Sequence, residues 1–299
     1  MRGADRVAAV VAGLNAIYGR WTRETTVEAM RRDWDDAFGV RARNWQRQRF
    51  QIGNMDAEWI SAPQAQPENA ILFLHGGGFR IGSIDSHRDL AQRLSEAARA
   101  RVLTIDYRLS PEHGFPSPVE DALAGFRWLL EQGMPAQRIA IAGDSAGGGL
   151  ALACMIAARD AGLPMPCAAF LMSPWTDMTA SGASYETCAT LDPMHQRAMI
   201  LGMARGYLGK DGDPRAPLAS PLFADLRGLP PLIVQCGGRE VILDDSRVLA
   251  ERAREAGVAA ELDVYEPMIH VFHMFAELPE AGIALSKAGV LLQTHFARS

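Results

Sequence analysis

Polar and apolar positions alternate along this chain in two different rhythms. At the amino end the rhythm is helical. One helix is expected over Asp5–Tyr18, and a second after Thr26, a good N-cap, with apolar residues recurring at Val27, Met30, Trp34 and Phe38. Two extended segments follow, near Asn44–Gln51 and Met55–Ala62, with Gly53-Asn54 between them as a hairpin turn. From Ala70 onward short apolar runs alternate with helical stretches. The runs predict strands at Ile71–Leu74, Val102–Asp106, Ile139–Ala142, Ala168–Met172, Leu232–Gln235 and Glu261–Tyr265. Helices are predicted near Asp85–Arg99, Pro118–Gln132, Ala146–Ala161 and Ser246–Ala256, with a last one over about Ala281–Phe296. Apolar strands separated by helices specify an α/β fold whose mostly parallel sheet is covered on both faces.

One interval breaks the alternation. Between Ser173 and Leu232 no strand pattern occurs; a Met-rich helix is expected from Pro193-Met194 to about Tyr207, among loops rich in Pro, Gly and Asp. An insertion of this length suits a lid. No internal repeat, low-complexity tract or flexible linker divides the chain.

Composition narrows the function classes. A net charge of −5, with both signs interspersed, lacks the basic footprint of a nucleic-acid binder. Cys154, Cys167, Cys188 and Cys236 have neither metal-ligand nor disulfide-framework spacing and read as buried free thiols. No run reaches the roughly 18 apolar residues of a membrane span. Val7–Leu14, following Arg2 and Arg6, faintly suggests a signal peptide. Asp5 and the want of a clear small-x-small cleavage site favour a helix on the body of a cytoplasmic protein.

The chemistry centres on Gly143-Asp144-Ser145-Ala146-Gly147. This Gly-x-Ser-x-Gly pentapeptide lies between the expected strand at Ile139 and an Ala-rich helix. Glycines on either side permit a sharp, strained elbow that projects the serine hydroxyl from the sheet edge, a nucleophile's position; the alternative is an ordinary tight turn. Serine needs a base, a group to orient that base, and donors for an oxyanion. Donors are available in His75-Gly76-Gly77-Gly78, directly after the strand at Ile71–Leu74. Gly77 and Gly78 are the candidates on one side and the Ala146 amide on the other. A phosphate-binding loop is the competing reading, but no Lys-Ser/Thr follows. His75 reads as structural. His270, just after the last predicted strand, is the candidate base, with His273 the runner-up. Glu240, soon after Leu232–Gln235, is the candidate acid. Asp244 is next, although Asp244 and Asp245 could simply cap the helix expected near Ser246.

Together these motifs, with Asp106-Tyr107-Arg108-Leu109-Ser110-Pro111-Glu112, Ser220-Pro221-Leu222, Leu229-Pro230-Pro231 and His270-Val271-Phe272, resemble the hormone-sensitive lipase-like family of α/β-hydrolases, especially its bacterial esterases. The likeness covers the chain from about Glu58 onward and, more loosely, the amino-terminal helices. It implies an eight-stranded, mainly parallel sheet flanked by helices, with a helical cap from residues 1–45 and 178–220 over a core of residues 46–177 and 221–299. It also makes an Arg108–Glu112 pairing plausible. The family usually has Asp-Pro-Leu at the acid, where this chain has Glu240-Val241-Ile242. The implied activity is serine carboxylesterase, acting on short-chain apolar esters without metal or organic cofactor. A lactonase, an aryl amidase or arylformamidase, or a non-catalytic ligand-binding homologue would use the same framework. Trp34, Met194, Met199 and Met203 are candidates for an acyl pocket and equally for packing of cap on core. The last strand, Glu261–Tyr265, is a candidate sheet edge, open to pairing with a second copy.

Overall fold

The computed structural model describes residues 3–39 and 45–298. The strands are β1 (Gln46–Ile52), β2 (Met55–Ser61), β3 (Gln66–Leu74), β4 (Ala100–Ile105), β5 (Ile139–Asp144), β6 (Ala168–Met172), β7 (Leu232–Gly237) and β8 (Ala260–Tyr265). The helices are α1 (Gly3–Tyr18), α2 (Val27–Phe38), α3 (Ile84–Ala98), α4 (Ser117–Glu131), α5 (Ala146–Asp160), α6 (Ser184–Thr187), α7 (Arg197–Leu208), α8 (Leu243–Glu255) and α9 (Pro279–Ala297). The strands form one sheet in the order β1-β2-β4-β3-β5-β6-β7-β8. β2 runs antiparallel to β1 and β4, and the other pairings are parallel.

Alternate side chains of each central strand enter different cores. In β3, Ala70, Leu72 and Leu74 pack in the cluster that holds Phe126 of α4, Leu150 of α5 and Leu249 of α8. Ile71 and Phe73 point to the opposite cluster, with Leu90 of α3, Leu285 of α9 and Leu14 of α1. Burial on both faces is why these strands read as continuous apolar runs. Crossover helices place all parallel carboxyl ends at one edge, where the loops after β3, β5, β7 and β8 meet.

Several element ends differ from the sequence pattern. β3 starts at Gln66, not Ile71, because Gln66 pairs with Ala100 across an irregular register that carries the strand through polar Glu68 and Asn69. α8 starts at Leu243, so Asp244 and Asp245 lie inside its first turn instead of capping a helix at Ser246. α7 starts at Arg197, not Pro193, because the Asp192 carboxylate takes the Met194 and His195 amides into a separate turn. Asn44, the first residue of one expected extended segment, lies outside the described residues.

The Arg108–Glu112 pairing does not form. Arg108 turns to α4, donating to Asp121 and Glu120, while Glu112 pairs with Arg31 of α2. Among the described residues, no helix is long and apolar enough to cross a membrane.

Candidate active site

Ser145 occupies the single position between β5 and α5, with φ 52° and ψ −121°. Such a backbone is costly for a residue with a Cβ and persists only when neighbours enforce it. Here the Ser145 N–H donates to the Met172 carbonyl at 2.9 Å, and the Trp175 N–H donates to the Ser145 carbonyl at 2.9 Å. A Cβ on Gly147 would strike the Leu74 and His75 carbonyl oxygens, and one on Gly143 the Gly147 carbonyl. The two motif glycines are therefore required by close approach of backbone.

The glycine loop after β3 is tied to the same elbow. Asp144 Oδ1 accepts the Gly76 N–H at 3.0 Å. The Tyr107 hydroxyl donates to the His75 carbonyl at 2.6 Å, and the His75 ring stacks on Tyr107 with centroids 4.3 Å apart. Burial pushes His75 down to about 3, so it is a neutral packing group away from the serine. Gly77 and Gly78 have φ of 116° and 63°, in the region that favours glycine. Both line the cavity with Ser145, and among the described residues their amides have no hydrogen-bond acceptor. Ala146 supplies the first amide of α5, at the positive end of that helix.

His270 follows β8. Its Nε2 lies 2.9 Å from Ser145 Oγ and its Nδ1 lies 2.8 Å from Glu240 Oε2. Glu240 is fully buried, and its other oxygen accepts the Ser173 hydroxyl at 2.6 Å and the Gly237 N–H. Ser173 Oγ also accepts the Val271 N–H at 3.1 Å, joining the acid to the residue after the histidine. Burial alone would lower the His270 pKa, but the charge and hydrogen bond of Glu240 outweigh it and hold it above its ordinary value.

The two runners-up lie elsewhere. Asp244 Oδ2 accepts the Ser184 N–H at 2.8 Å, fastening α6 to α8. His273 Nε2 lies 3.1 Å from Gln235 Oε1 in the core, where burial pushes its pKa to about 3. Pattern reading did not single out Ser173 or Asp192. Ser173 bonds residues distant in sequence, and Asp192 joins its own turn to the distant Val241 amide; the positive φ of Ser173, 46°, is visible only in the fold.

A cavity of about 310 Å³ opens over Ser145 and His270. Trp34, Met194, Met199 and Met203 all line it, together with Tyr18 and Trp21. Met203 also sits close over the glycine loop, where a Cβ on Gly78 would meet its sulfur. No three His, Cys, Asp or Glu side chains gather in a way that could hold a metal ion among the described residues.

A hydroxyl bonded to an imidazole, itself oriented by a buried carboxylate and facing idle amides, has the parts for nucleophilic acyl transfer. The profile of the α/β hydrolase fold family matches residues 71–274. The solved structure of an esterase from the bacterial hormone-sensitive lipase family superposes with a TM-score of 0.94 at 44% identity, over 98% of each chain. The chain belongs to that family. Among curated relatives, it is 46% identical to an acetyl-hydrolase of Streptomyces hygroscopicus over 81% of each chain. It is 36% identical to an esterase of Acinetobacter venetianus, over 79% of this chain and 78% of that one. This hormone-sensitive lipase-like hydrolase thus presents the eight-stranded sheet of its relatives with a serine, a histidine and a glutamate in one hydrogen-bonded row.

Proposed function

We propose that this carboxylic ester hydrolase cleaves short-chain apolar esters through an acyl-enzyme on Ser145. The continuous row from Ser145 Oγ through His270 to Glu240 carries the reading. His270 takes the serine proton as Oγ attacks the ester carbonyl. The amides of Gly77, Gly78 and Ala146 stabilise the oxyanion. His270 then protonates the departing alcohol, and water, activated by the same imidazole, hydrolyses the acyl-enzyme. Glu240 fixes the imidazole tautomer and stabilises the imidazolium. Each oxyanion donor contributes on the order of a hundredfold or more in turnover.

The small, largely apolar cavity supports short acyl chains, as does the likeness to an acetyl-hydrolase. In this reading residues 1–45 and 178–220 act as a cap over a core of 46–177 and 221–299. Hydrolysis of a graded series of p-nitrophenyl esters, from acetate to palmitate, tests it. Activity should peak among the short chains and vanish in Ser145→Ala. A peak at long chains, or faster cleavage of a matched lactone or aryl amide, would overturn the substrate assignment. Failure of a phosphonate to label Ser145 would overturn catalysis altogether. We also propose that β8, at the sheet edge, pairs with β8 of a second copy; sedimentation at the monomer mass would refute this.

A further inference from the structure

Residues Asp192–His195 form a turn beside the His270 imidazole. The buried Asp192 carboxylate fixes this turn. Its Oδ1 accepts the Met194 and His195 amides at 2.8 and 3.0 Å, and its Oδ2 accepts the Val241 N–H at 2.9 Å, one residue after Glu240. The turn is thereby clamped to the loop that carries the acid. It sets the His195 ring perpendicular to that of His270, with centroids 4.7 Å apart.

His195 lines the same cavity as Ser145; its side chain is half-buried, and among the described residues the protein offers its ring no side-chain hydrogen bond. Burial and the neighbouring His270 push its pKa down to about 4. In the neutral ring one nitrogen donates and the other accepts. A half-buried ring nitrogen at the wall of a largely apolar cavity can offer a ligand a directed hydrogen bond, worth about one net hydrogen bond. Its position indicates which part of the ligand that is. The imidazole that takes the serine proton delivers it to the leaving oxygen, so the alcohol portion of the ester lies beside His270. His195, packed against His270, borders that portion.

We propose that His195 is a specificity residue that hydrogen-bonds a hydroxyl group on the alcohol portion of the ester, so that the protein favours monoesters of small diols and polyols over plain alkyl esters of equal size. This assignment rests on the esterase reading above.

The test compares 2-hydroxyethyl butanoate with propyl butanoate, which have the same acyl chain and the same number of heavy atoms. Each kcat/KM is divided by the ester's rate of alkaline hydrolysis, which removes the difference in leaving-group reactivity. The wild type should prefer the hydroxyethyl ester by about 3–10-fold, the range of one net hydrogen bond. In His195→Phe the preference should fall to about one, and in His195→Gln part of it should return. Any general disturbance of the cavity affects both esters and cancels in the ratio. A wild-type ratio near one, or a preference that survives in His195→Phe, overturns the proposal. Cleavage of neither ester by the wild type would overturn the esterase reading, and this proposal with it.

Discussion

Glu240 is one methylene longer than an aspartate, and the surrounding loops accommodate that length. One oxygen reaches His270 Nδ1 while the other is held by the Gly237 amide and the Ser173 hydroxyl. Glu240→Gln keeps the size but removes the charge and leaves the wrong tautomer favoured, so kcat should fall by about 10⁴-fold. Asp244→Asn, which alters only the contact to Ser184, should leave kcat within severalfold. A large loss in Asp244→Asn with little in Glu240→Gln would reverse the assignment. The pH profile checks the same pair. Protonated His270 cannot accept the serine proton, so kcat/KM rises with pH through its pKa. Because Glu240 holds that pKa above the ordinary 6.5, the midpoint of the acid limb should lie above 6.5 in the wild type. In Glu240→Gln burial acts without the opposing charge, and the midpoint of the residual activity should move down. A limb that stays in place would show that Glu240 does not set it.

At the scale of elements, left-handed backbone is concentrated where the loops meet. Ser145, Ser173 and Val271 have φ of 52°, 46° and 45°, the first two directly after β5 and β6 and the third directly after His270. These turns aim the reactive groups, and their neighbours hold them. Arg99 is different: it ends α3 at φ 50° and ψ 40°, exposed and remote from the cavity. Arg99→Gly should therefore relieve strain with no catalytic cost, adding about 1 kcal/mol of stability. Thermal denaturation should show Tm rising by roughly 1–2 °C; a fall would mean that the Arg99 side chain contributes more than its backbone costs. The same contrast explains what could be read in the sequence. Strands buried on both faces announce themselves as apolar runs, and the serine elbow and glycine loop carry local signatures. The Ser173–Glu240 and Ser173–Val271 bonds span 67 and 98 residues and leave no local pattern. The early start expected for α7 failed for a related reason. Asp192 diverts the Met194 and His195 amides into a turn, and side-chain-to-backbone bonds of this kind override apolar periodicity. Arg108 and Glu112 are near in sequence, yet each finds a better-placed partner on a different helix.

Across the whole molecule, α2 carries Met30 and Trp34 onto the cavity wall, and one side chain ties it to the loops beneath. Arg31 makes a bidentate pair with Glu112, both N–O distances being 2.8 Å. It also donates to the Arg80 carbonyl at 2.9 Å and the Ser110 carbonyl at 3.0 Å. Arg80 closely follows Gly77 and Gly78, so this guanidinium links the amino-terminal wall of the cavity to the glycine loop proposed to offer the oxyanion amides. An exposed ion pair alone contributes little, under about 1 kcal/mol. The geometry matters more here, because four bonds converge on one rigid fork that an ammonium cannot imitate. Arg31→Lys should therefore loosen α2 without unfolding the sheet. KM for short esters should rise severalfold, and amide exchange in Val27–Phe38 should quicken while β5 and β6 remain protected. High salt should reproduce part of the KM effect in the wild type and less of it in the variant, since the carbonyl contacts are less sensitive to screening than the Glu112 pair. Unchanged KM together with unchanged exchange in α2 would show that Arg31 does not position this wall, leaving it to the apolar packing of Trp34 and Phe38 and the Ser83–Asp35 hydrogen bond.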